Sequence, residues 1–228
     1  MSAVPSGRVP LRIDFVSDVV CPWCAIGLAA LEQALARLPD NVDVEFHVRP
    51  FELNPQMAPE GEDIAEHLTR KYGMSPEQLA GGQATLKARG AEVGVVFGER
   101  RRIWNTFDAH RLLHWAGQSG HALDLKRALL QAYHRDAENV SDHATLARIA
   151  ASAGLDAERA AAILASGEYA DIVRAEEQFF IRSGINSVPA IIIDQQHLIS
   201  GGQPVEVFER ALREIVAGKV SRDAADAS

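Results

Sequence analysis

The stretch Val19-Val20-Cys21-Pro22-Trp23-Cys24 decides how the rest of the chain is read. Its two cysteines are the only ones among 228 residues. They stand where an apolar run, Leu11 to Val16, gives way to a helical pattern. A Cys-x-x-Cys pair at a strand-to-helix junction reads as a redox centre. At a helix start the first backbone N–H groups lack partners, and the helix dipole places partial positive charge there. Both effects favour a thiolate at Cys21, and the thiolate is the species that attacks disulfides. Cys24, one turn on, is placed to resolve the mixed disulfide. Pro22 falls at the first helical position, where a missing N–H costs nothing. Cys21 is therefore expected to be the open, reactive thiol, with Cys24 turned toward the core.

Two plainer readings compete. The cysteines could form half of a zinc site, completed by His110 and His114, which share one helix face. Those histidines lie far along the chain, unlike the short spacing of a zinc finger, and no second cysteine pair exists. Alternatively both thiols are inert and buried. They sit at a turn rather than within a periodic apolar stripe, which argues against that.

The composition is that of an ordinary globular chain, with 47% apolar and 24% charged residues. A net charge of −8 argues against a nucleic-acid or anionic-membrane partner. No apolar run reaches transmembrane length. Met1 to Pro10 lacks the apolar core of a signal peptide, so a cytoplasmic location is expected. Structural disulfides are rare in that reducing compartment, so a close cysteine pair there points to catalysis or redox sensing.

Leu11–Val16 reads as a buried strand, and the helix after the cysteines should run from Pro22 to Leu38 on a Leu28, Leu31, Leu35, Leu38 face. Val42–Val48 alternates and predicts a strand, completing a βαβ unit. From about Asn54 to Gly184 nearly everything is helical. Asp63 opens one helix, and Ser75-Pro76-Glu77-Gln78 is a capping box for the next. Ser141 and Asp156 are expected to cap later helices. Glu168–Arg182 should present Ile172, Val173, Phe179 and Phe180 to a core. Strand signals return at Val188–Ile193 and His197–Ser200, followed by a final helix. The expected fold is α/β: residues 1–53 and 185–220 form one discontinuous domain, 54–184 an all-helical insertion, and 221–228 a flexible tail.

That order, with Cys-Pro-Trp-Cys after the first strand, resembles the DsbA family of thiol–disulfide oxidoreductases, and in wording its FrnE-like branch. The matching pieces are Asp14 through Cys24, Phe51-Glu52-Leu53-Asn54-Pro55, Asn105-Thr106-Phe107-Asp108-Ala109-His110-Arg111, Ser187-Val188-Pro189 and Ile199-Ser200-Gly201-Gly202-Gln203-Pro204. The resemblance covers nearly the whole chain. It implies a thioredoxin fold (βαβ…ββα) with a helical insertion, no metal, no tightly bound cofactor, and Cys21 as nucleophile. It also implies a cis Val188–Pro189 bond facing the sulfurs, with the Val188 backbone holding a substrate strand. Thiol or disulfide substrates, protein or small molecule, are the implied partners, with glutathione a candidate co-substrate and the chain a monomer or homodimer. Kappa-class glutathione transferases and hydroxychromene-carboxylate isomerases are similar in architecture but carry serine at the reactive turn. The two cysteines here favour disulfide exchange over that glutathione-dependent chemistry, and over a redox-sensing, chaperone-like binding role. Pro-Trp between the cysteines, without histidine, suggests a less oxidising couple than periplasmic members have.

Other residues carry weaker signals. Trp23 either packs over the disulfide or caps the first helix. His110 and His114 are expected to orient neighbours or face solvent, Asn105-Thr106-Phe107 to cap a helix, and Arg100-Arg101-Arg102 to be a solvated charge run. Glu52 and Asn54 are candidates for lining a cleft between sheet and insertion.

Overall fold

A computed structural model describes residues 7–226. Met1–Ser6, part of the stretch read for a targeting signal, lie outside the described residues, as do 227–228. The chain opens with β1 (Val9–Ser17), α1 (Pro22–Leu35) and β2 (Val42–Pro50). There follow β3 (Glu62–Asp63), α2 (Ile64–Tyr72), α3 (Pro76–Glu92), β4 (Arg102–Ile103), α4 (Phe107–Gly117), α5 (Ala122–His134), α6 (His143–Ser152), α7 (Ala157–Ala165) and α8 (Ala170–Arg182). The chain then returns through β5 (Ala190–Ile193), β6 (His197–Ser200) and α9 (Val205–Asp226).

Four strands form one sheet in the order β2-β1-β5-β6. β1 runs parallel to β2, from Val9 opposite Val42 to Ser17 opposite Pro50. β5 is antiparallel to β1, with Ile13 opposite Ile193, and β6 is antiparallel to β5. Alternation of β1 sends Leu11, Ile13 and Phe15 to one face, where they pack with Leu28 and Leu31 of α1 and Phe208 and Leu212 of α9. Each such buried side chain contributes roughly 1.5–3 kcal/mol. The intervening residue Val16 joins Phe51, Phe180, Ile185 and Ala190 in a second cluster that ties α8 to the sheet.

The local signals place most boundaries. Asp63 caps α2 by accepting from Ala65 and Glu66 N–H, and the Ser75–Gln78 capping box opens α3. α1 stops earlier than expected. Its last turn tightens through Arg37 N–H to Ala34 O and Leu38 N–H to Leu35 O, so Leu35, not Leu38, is its last helical residue. Asp142 rather than Ser141 caps α6, because the Ser141 hydroxyl is committed to Asn139 and the Pro59 carbonyl. The insertion is helical apart from the short β3–β4 ladder. α9 runs on through Asp226, past the expected boundary at 220, because no glycine or proline follows Gly218 to stop it.

α8 corrects a further expectation. Val173 and Phe180 are buried, but Ile172 and Phe179 are 46% and 58% exposed. The buried line is Val173, Glu177, Phe180, so residues 172 and 179 fall on the neighbouring, outer stripe of the helix.

Candidate active site

The turn between β1 and α1 is built by both halves of the molecule. Asp18 is fully buried, and its carboxylate accepts from the Leu53 N–H just beyond β2 at 2.7 Å. Val19 and Val20 insert into the core of the helical insertion with Leu112, Leu129 and Tyr133. Cys21 is the N-cap residue of α1, with Pro22 at the first helical position. Cys24 donates its N–H to the Cys21 carbonyl at 3.1 Å. Both thiols are free.

The cysteines differ in surroundings. Cys24 is 0% exposed and Cys21 only 4%, so Cys21 is not the open thiol expected. The loop before β5 covers it. Its Sγ donates to the Val188 carbonyl at 3.6 Å, and the Val188–Pro189 peptide is cis. Two glycines permit this close fit. A Cβ on Gly27 of α1 would lie 2.9 Å from Pro189 Cγ, and one on Gly202 would lie 2.9 Å from the Trp23 carbonyl.

The electrostatics divide the pair. A hydrogen bond from the Cys24 thiol pulls Cys21 below the ordinary thiol range, outweighing burial and the charge of Asp18, and the Cys24 and Trp23 N–H groups add to it. Burial pushes Cys24 well up, and the neighbouring Cys21 reinforces this. The two thiols are thus shifted apart, Cys21 toward its thiolate and Cys24 toward its thiol.

Trp23, between the two cysteines, is 38% exposed. His110 faces neither solvent nor the cysteines. It is 1% exposed, with Nε2 3.6 Å from Asp18. Burial raises Asp18, but the histidine, the Leu53 N–H and Thr106 overcome it and hold the carboxyl below its usual range. His114 lies 3.8 Å from Glu176 instead. Among the described residues no group of three metal-ligating side chains is assembled. Thr106 is the N-cap of α4 without a side-chain capping bond, while Asn105 just before it accepts the Phe107 N–H and donates to the Met57 carbonyl. Of the expected solvated run Arg101 and Arg102 are exposed, but Arg100 is half-buried. It stacks on Phe97 and Tyr133, and Arg102 stacks on Trp104 while binding the Glu60 and Gly61 carbonyls.

Glu52 does not line an open cleft. It is buried against α8, where Arg174 bonds to both Glu52 and Glu177. Asn54 accepts from Lys71 at 2.7 Å. Burial, then the Glu177 charge, raises Glu52 from 4.5 to about 7. The folded chain therefore holds a proton that the unfolded chain releases between those values, so this residue's contribution to stability falls as pH rises from 4.5 to about 7. Glu52→Gln removes that loss. Urea unfolding at pH ~5 and ~8 should show the variant gaining on the wild type by about 2 kcal/mol at the higher pH. An unchanged difference between the two pH values would contradict it.

Two buried groups of the turn's surroundings escaped the sequence reading. His134 donates from Nε2 to the Val19 carbonyl at 3.0 Å, and Lys126 is fully buried beside the same turn. Both lie on the inward face of α5, four-residue steps apart through Leu130. The helical periodicity shows that face, but nothing local says which distant turn it meets.

Comparison with known proteins agrees with this architecture. The family model for a DSBA-like thioredoxin domain matches residues 12–213. The chain belongs to the DSBA-like thioredoxin domain family. The crystal structure of a probable DsbA oxidoreductase from Streptomyces coelicolor is similar at 40% identity and a TM-score of 0.85, covering 91% of this chain and 90% of that one. YwbO of Bacillus subtilis is 26% identical over 207 residues, 90% of this chain and 96% of its own. A putative protein disulfide isomerase from Nitrosomonas europaea shares the fold, at 18% identity and a TM-score of 0.70, with 92% and 98% coverage. In this DsbA-family chain, none of the helices among the described residues is long and apolar enough to cross a membrane.

Proposed function

We propose that this chain exchanges disulfides with thiol or disulfide substrates through Cys21 and Cys24. The observation that carries the reading is the opposite shift of two adjacent thiols, Cys21 down and Cys24 up, at a helix start. In the reducing direction the Cys21 thiolate attacks a substrate disulfide, forming a mixed disulfide and releasing one substrate thiolate. Cys24 then attacks Cys21 Sγ and releases the second. In the oxidising direction the same steps run backwards from a Cys21–Cys24 disulfide. The Val188 carbonyl, now on the thiol of Cys21, faces the place a substrate backbone would take and could pair with it as a short strand. Glutathione fits as a co-substrate of the same chemistry, and a cytoplasmic site of action fits a reducing direction. The FrnE-like placement rests on the quoted motifs.

The test is selective alkylation of the reduced protein. Iodoacetamide at neutral pH should label Cys21 well ahead of Cys24, because the thiolate fraction governs reactivity. Equal rates, or Cys24 first, would sink the assignment. An insulin-reduction assay that stays at background, alongside turnover of chlorodinitrobenzene with glutathione, would replace it with the glutathione-dependent reading.

A further inference from the structure

Asp18 is bonded into the active turn twice, and neither bond cancels its charge. Its backbone carbonyl accepts from the Cys21 N–H at 3.4 Å, which closes a four-residue turn over Asp18-Val19-Val20-Cys21. Its carboxylate Oδ1 accepts from the Val20 N–H at 3.4 Å, as in an Asx-turn, and Oδ2 accepts from the Leu53 N–H at 2.7 Å. The Cα atoms at the two ends of such a turn lie within about 7 Å of each other. The carboxylate is therefore held along the turn, close to the residue whose sulfur reacts.

Both groups are out of water, with Asp18 0% and Cys21 4% exposed. Charges act on each other more strongly there than at a surface, and salt screens them less. A carboxylate that accepts backbone N–H groups keeps its charge, and Asp18 lies below its usual range. Among the described residues no side-chain cation is hydrogen-bonded to it. From α4, His110 Nε2 stands at 3.6 Å, beyond a hydrogen bond. From α5, the buried Lys126 amine has no hydrogen-bond partner, the Tyr133 hydroxyl donates to the Arg102 carbonyl, and His134 Nε2 donates to the Val19 carbonyl. From α8, Arg174 is taken up by Glu52 and Glu177. From α1 the facing groups are the two cysteines themselves. The charge of Asp18 is thus left to act on the turn.

We propose that Asp18 is the positioning residue that sets the direction of exchange, its buried charge biasing the reduced pair toward giving its electrons to a substrate disulfide. The proposal rests on the disulfide-exchange reading above. In the Cys21–Cys24 disulfide neither sulfur carries charge, so Asp18 acts on the reduced pair alone. There it opposes negative charge on the Cys21 sulfur, against the pull of the Cys24 thiol. A reduced pair whose thiolate is less favoured is a stronger reductant. In that direction the two thiols lose two electrons and two protons and become the disulfide, and the substrate disulfide takes them up as two thiols.

Equilibration of the full-length chain with glutathione and its disulfide reads this bias, because oxidation of the pair turns one glutathione disulfide into two glutathiones. Asp18→Asn removes the charge and keeps an oxygen for the Leu53 N–H. Asp18→Ser keeps a hydroxyl acceptor for the Val20 N–H and is the second arm, with thermal melts showing which variants fold. At pH ~8 a folded variant should favour the reduced pair about five- to tenfold more than the wild type, and its thiolate absorbance in the ultraviolet should appear at lower pH. At a pH below the thiolate titration of both proteins the two constants should agree within about twofold, because no thiolate remains for Asp18 to oppose. A loss of turn geometry alone would move the constant at both pH values. A wild-type constant at pH ~8 in a folded variant would overturn the proposal, as would an equal change at both pH values. Unfolding of both variants would also overturn it, by assigning the carboxylate to the turn itself. A wild type that forms no Cys21–Cys24 disulfide in this buffer would instead overturn the exchange reading.

Discussion

Cys21→Ser should reduce disulfide exchange to the uncatalysed background, while Cys24→Ser should turn the protein into a trap. Cys21 is the only one of the two thiols drawn toward its thiolate, and Cys24, fully buried and held protonated, cannot replace it as first attacker. Loss of the nucleophile should cost at least about a thousandfold in insulin reduction. In Cys24→Ser the first attack still occurs, although Cys21 loses the thiol hydrogen bond that lowers it most, and the serine hydroxyl replaces that bond in part. Without the resolving sulfur, whose attack benefits from intramolecular proximity, the mixed disulfide persists. Non-reducing gels of cell extracts should therefore show adducts with Cys24→Ser and none with Cys21→Ser. If both single variants reduced insulin at the wild-type rate, exchange through this pair would be excluded.

Arg111→Met should destabilise the chain by about 3–5 kcal/mol without altering the cysteines. Arg111 is 4% exposed in α4. Its Nε donates to the Glu168 carbonyl at 2.8 Å, and its Nη2 donates to the Ser166 carbonyl at 2.6 Å and to that of Ile163. Its Nη1 pairs with Asp108 at 2.7 Å. One guanidinium thus satisfies the carbonyls where α7 ends and the chain turns into α8. Methionine fills the volume but leaves those acceptors unpaired and the Asp108 carboxylate with His143 as its remaining side-chain partner. Urea denaturation gives the loss directly. A variant within about 1 kcal/mol of wild type would show that water replaces the guanidinium at little cost.

The parts of this fold that are set locally were legible in the sequence. The apolar run of β1, the alternation of β2, the Asp63 and Ser75 caps and Pro22 at the first position of α1 each carry their own instruction, and each element formed near its expected place. The placing of the two cysteines at the start of α1 was equally plain, because two residues of spacing and Pro22 set it. What surrounds it was not. His110, Lys126 and His134 become part of the turn's environment only when α4 and α5 are docked, and helical spacing cannot say which remote segment an inward face will meet. Charge was misleading for a related reason. Arg100 read as part of a solvated run until the rings of Phe97 and Tyr133 were brought to it. For α8, four apolar residues in two adjacent pairs span more of the helix surface than one interface covers, so Ile172 and Phe179 remain outside.

The central pairing of the sheet joins the two ends of the chain, with Ile13 opposite Ile193. Closing so long a loop costs more entropy than any local contact repays, and chains dominated by such pairings fold slowly. During synthesis β1 and the cysteine turn leave the ribosome early, while β5 and the Val188 carbonyl that covers Cys21 arrive after the whole insertion. The nascent protein thus passes through an interval in which a cysteine at a half-formed helix is open to any passing disulfide. Its reactivity in that interval is governed by the order of translation, and the finished sheet ends it.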